Sequence, residues 1–92
     1  MALKILRRQQ DLRSMQAQME TLVSERDAFA VREHELEADI AAAQTEEDRA
    51  AVDAAIDEFE QQRNANVVAI AELQTRIDAT SEEIRSREAA QT

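Results

Sequence analysis

His34 is the only histidine of the chain, and Glu37 follows it by three residues. On a helix that spacing sets an imidazole and a carboxylate one turn apart, where they can share a surface ion. A metal centre asks for more. A di-iron helical bundle needs two Glu-x-x-His units projecting inward, and the sequence contains none. Acidic pairs such as Glu46 with Glu47, and Glu82 with Glu83, are among the groups that could move a proton. General acid–base work needs one such group to have its proton affinity shifted by burial in a cleft, whereas acids spread along helix faces form a solvated coat. A phosphate cradle requires backbone conformations that glycine tolerates, and the chain has no glycine. It has no cysteine, which removes disulfides and thiolate metal sites and leaves the redox compartment undetermined. Met1, Met15 and Met19 could form an adaptable groove, but two of them fall on an apolar stripe and read as core filling. The sequence therefore predicts no enzyme, no cofactor and no metal.

The elements that carry these residues are long helices. Neither glycine nor proline interrupts the 92 residues, and large apolar side chains recur every three or four positions. Leu12, Met15, Met19, Leu22, Phe29, Leu36 and Ile40 form one heptad seam, with Ile5 in phase upstream and Arg26 and Glu33 as polar interruptions. Val52, Ile56, Phe59, Ile70, Leu73, Ile77 and Ile84 form a second, with Arg63, Asn66 and Thr80 as its polar members. The second frame is slipped by about two residues from the first, since an unbroken frame would leave Val52 and Ile56 off the stripe. Thr45 sits at that break. Its hydroxyl can cap a new helix, Glu46, Glu47 and Asp48 suit the positive helix end, and Asp48 can close a capping box.

The fold expected is all-α: a long antiparallel hairpin, with a helix over about 3–43, a turn at about 44–46 and a helix over about 46–88. A single extended, kinked coiled-coil rod is the alternative, because Ala41, Ala42 and Ala43 favour staying helical and no glycine ends the first helix. If the chain turns near Thr45, residues whose numbers sum to about 88 to 90 lie opposite. That arithmetic pairs Phe29 with Phe59, Leu22 with Asn66, and Arg26 with Arg63. The two arginines would have to reach outward, to Glu25, Glu60 or water.

Such a chain is one domain with a thin core. Burying a large aliphatic side chain contributes ~1.5 to 3 kcal/mol, against an ordering cost of about 1.5 kcal/mol per residue. A hairpin that buries one stripe per helix is marginal alone, so it is expected to associate with itself or to be attached to something larger. Val23, Val31, Val67 and Val68 lie off the seams and widen the apolar face. The net charge of −9 is uneven, with positions 1–20 at +2 and the remainder at −11. The acidic body would repel nucleic acid. The basic start suits a docking tail, a surface anchor or a frayed end. No apolar run resembles a signal peptide or a membrane span, so no membrane is expected. The stretch from Ser86 to Thr92, small and polar beyond Ile84, reads as a frayed or linker segment.

The opening Met-Ala-Leu-Lys-Ile5-Leu6-Arg7, the heptads after it, the segment Arg32-Glu-His-Glu-Leu-Glu-Ala-Asp-Ile40 and the run Thr45-Glu-Glu-Asp-Arg-Ala-Ala-Val-Asp-Ala-Ala-Ile-Asp-Glu-Phe-Glu60 resemble the N-terminal scaffolding region, or delta domain, of tailed-bacteriophage major capsid proteins of the Hong Kong 97 type. The resemblance spans essentially the whole chain. It implies a domain fused ahead of a shell-forming domain, with residues 1–92 as a fragment of that longer protein. It further implies a place inside the procapsid, assembled in the bacterial cytoplasm, where the domain guides capsomer assembly before a maturation protease removes it. The implied partners are further copies of the chain, the rest of the capsid protein, the portal and the protease. Two other readings compete. One is a generic helical-hairpin oligomerisation or adaptor module. The other is an acidic decoy for a basic DNA-handling protein, which the distribution of the acids as helix-solubilising positions argues against.

Overall fold

A computed structural model describes residues 2–91 and consists of two helices that pack on each other. α1 spans Ala2–Ala42 and α2 spans Glu46–Ala90. The chain is a hairpin measuring 70 × 15 × 15 Å, which is the length that α2 alone requires at ~1.5 Å per residue.

The reversal takes three residues and no glycine. The Ala43 N–H still donates to the Asp39 carbonyl at 3.0 Å, so the helical ladder of α1 ends one residue beyond its last full turn. Thr45 is extended, at φ −107° and ψ 164°, and no described residue has positive φ. The new helix is then held by a reciprocal cap. The Thr45 hydroxyl accepts from the Asp48 N–H at 3.0 Å, and Asp48 Oδ2 accepts from the Thr45 N–H at 3.4 Å. The same carboxylate also accepts from the Gln44 N–H at 3.5 Å, so Asp48 organises the whole turn. A left-handed residue is one way to stop a helix; here an extended residue and a carboxylate that collects the freed amides do the same work.

The outer ends are more ordered than the composition predicts. α2 continues to Ala90, through most of the stretch expected to fray, and Gln91 closes it by donating its N–H to the carbonyls of Glu88 and Ala89. The cause is local: Arg85 pairs with Glu82 at 2.8 Å, Arg87 lies 3.6 Å from Glu83, and Ala89 and Ala90 favour helix. Thr92, the last residue of that stretch, lies outside the described residues, as does Met1 of the methionine trio. The basic start is likewise helical from Ala2, and Ile5 within it is buried.

Candidate interaction surface

The seam between the helices is where the chain brings its apolar residues together, and its register is the one the numbering predicts. The Phe29 and Phe59 rings meet edge to face, with centroids 5.9 Å apart and planes at 67°. One heptad further toward the open end, Asn66 Nδ2 donates to the Leu22 carbonyl at 3.0 Å. Of the expected packing residues, Met15, Leu36, Phe59, Leu73 and Ile84 are buried. Leu12, Met19, Leu22, Phe29, Val52, Ile56, Ile70 and Ile77 are half-buried.

Ile40 departs from the expectation, keeping 54% of its surface exposed. At this register its opposite number is Asp48, whose carboxylate is committed to the turn. No described side chain is fully buried, so the core is a single stripe with solvent close on both sides.

The polar members of the seam find three different solutions. Asn66 is buried to 5% exposure with its amide N–H used and its Oδ1 unpartnered. A buried carbonyl without a donor costs stability, while the other half of the same side chain fixes one register against slippage. Arg63 lays its guanidinium over the Phe59 ring, 5.2 Å from the centroid, in cation–π geometry. Arg26 turns instead to Asp27 at 3.6 Å and stays exposed. The two arginines therefore separate, but neither uses the acids expected for it.

At the open end of the hairpin the basic start of α1 is tied to the end of α2. Arg8 donates through Nε to Glu83 and through Nη1 to Asp11 at 3.0 Å, while Arg7 lies 3.9 Å from the same aspartate. Hydrogen bonds to Asp11 and Glu83 hold the Arg8 guanidinium above its ordinary proton affinity. A shift in that direction keeps the guanidinium protonated throughout the physiological range. This clamp, between residues 75 apart, carries no signal in the sequence, because only the fold brings them together.

His34 is exposed and lies 3.5 Å from Glu37, a surface contact on the outer face of α1. No group of three or more metal-ligating side chains occurs among the described residues. The concavities are shallow grooves along the helix pair. One near the turn, of about 210 Å³, has Leu36, Ile40, Ile56 and Phe59 as its floor and Glu33, Glu37 and Glu60 on its rim. Another, on the opposite side at mid-length, is lined by Leu22, Glu25, Phe29, Gln62 and Asn66. Both are open to solvent along their length. Among the described residues no helix is long and apolar enough to cross a membrane. No protein-family model matches the chain, and neither a curated protein nor a solved structure is significantly similar to it.

Proposed function

We propose that the chain is a structural self-association module and, more specifically, the internal scaffolding domain of a tailed-phage major capsid protein. The observation that carries the structural part is a 70 Å hairpin in which no described side chain is fully buried. A stripe that thin gains from every further helix laid against it. The capsid part is supported by the resemblance of residues 1–60 in particular, and by how well a weakly cohesive, acid-coated spike suits scaffolding. Contacts that are weak and reversible between two free copies are multiplied when capsomer geometry raises their effective concentration, so they guide curvature without locking it. The acidic coat would oppose incoming DNA, a physical motive for removing the domain before packaging.

The reading is tested on the parent capsid protein. Deleting residues 1–92 should abolish regular shells and leave capsomers or aberrant assemblies; normal shells from the deletion would rule out scaffolding. The adaptor reading takes its place if the native gene does not continue into a shell domain. The module would then serve as an oligomerisation hairpin in some other assembly.

A further inference from the structure

The two faces that flank the seam are not alike. Glu37 and Glu60 border the groove near the turn. Whole heptads along the same faces lead from them to Val23 and Val67, which adjoin the Asn66–Leu22 hydrogen bond at mid-length. Val67 is 57% exposed and Val23 half-buried. Toward the open end the equivalent flanking positions are Gln9, Gln16, Gln74 and Ser81, all uncharged, followed by Ala2 and Glu88 at the tip. The opposite face carries Asp11, Glu25 and Arg76 along its grooves. One side of the hairpin is thus apolar at its centre and carries a single flanking charge in its open half, Glu88 in the last turn of α2.

The fold also sorts charge along its length. Residues 23–66, the half that contains the turn, hold thirteen acids against four bases and so carry the whole net −9. Residues 2–22 and 67–91, the open half, hold seven of each. The linear sequence hides this asymmetry, because the open half is assembled from its two ends.

We propose that the Val23/Val67 face docks a second copy of this chain in antiparallel orientation, about a two-fold axis that crosses the face at mid-length. α1 then stacks on α1 of the other copy and α2 on α2. The central patch maps onto itself, as an isologous contact requires. Each −9 half lies beside the neutral half of its partner. A parallel dimer would also superimpose the valines, but it sets two −9 halves about 8–10 Å apart, within about one Debye length at physiological salt. A face 70 Å long and 15 Å wide offers roughly 1,000 Å² per copy, against the ~800 Å² that a stable interface uses. The inference rests on the self-association that the scaffold reading requires, and it adds the face and the orientation.

The chain has no cysteine, so thiols introduced one at a time report the geometry directly. Under mild oxidation Val23→Cys should crosslink to itself, and Gln9→Cys mixed with Glu37→Cys should give a mixed disulfide. Adding Val67→Glu should reduce both yields at least several-fold while circular dichroism still reports a helical chain. Crosslinking of Gln9→Cys with Ser81→Cys, and none of Val23→Cys with itself, would mean a parallel dimer. That outcome overturns the antiparallel assignment and leaves self-association standing. No crosslink in any combination, with the mass of a monomer throughout, overturns both. Shell formation by the parent protein is a separate readout, so failure of the scaffold role remains distinguishable from failure of the dimer.

Discussion

At Asn66 a single side chain both fixes the register of the hairpin and weakens it. Its N–H reaches the Leu22 carbonyl, while its Oδ1 is buried without a donor. Replacing it with leucine removes the unpartnered carbonyl and fills the seam beside Leu22. Asn66→Leu should therefore raise stability by about 1 kcal/mol in urea unfolding. A loss of comparable size would show that the amide bond outweighs its unpaired half. The aromatic layer behaves in the opposite sense. Phe59→Ala should cost up to ~3 kcal/mol, Phe29→Ala less, and the double variant should fall short of their sum by ~0.5 to 1.5 kcal/mol, because the rings touch. Strict additivity would mean that the rings do not meet in solution. Pairing of these residues was legible from numbering alone once the turn was fixed. The resting place of Arg63 on Phe59 was not, because it depends on side-chain rotamers that numbering does not set.

Between the elements, the turn was the most legible feature. A slipped heptad frame and the Thr45-Glu-Glu-Asp48 cap both act within a few residues, so both are written locally, and α2 starts at Glu46 as that chemistry predicts. The way α1 stops was less legible, since the sequence lacks the usual glycine and Asp48 substitutes for it by collecting the amides of Gln44 and Thr45. Thr45→Ala together with Asp48→Ala should lower stability by about 1 to 2 kcal/mol, and a change within error would show that the turn is held by seam packing alone. The open end was read least well. Beside the local pairs that hold the end of α2, it is tied together by Arg8 and Glu83, whose meeting depends on the register of the full hairpin. Arg8→Gln should leave the overall helicity intact. It should also accelerate amide exchange several-fold in the first turns of α1 and the last turns of α2. Unchanged exchange there would assign the order to Ile5 and Ile84 instead.

As a whole molecule the protein is a narrow hairpin with one seam, an acidic turn half and a neutral open half. Its shape follows from two long periodic segments joined by a tight cap, and its proposed task follows from what so thin a core leaves unsatisfied. A charge-sorted hairpin that pairs antiparallel should double its mass without becoming longer. The central claim is that this chain is a closed hairpin that associates reversibly through a side face. Analytical ultracentrifugation over a concentration series, read for mass and frictional ratio together, tests it most directly. A closed hairpin that pairs side by side gives a moderately elongated monomer that gains mass reversibly with no rise in frictional ratio. A tight, very elongated dimer at every concentration would contradict it, since two chains would then be sharing an extended coiled coil in place of each closing on itself.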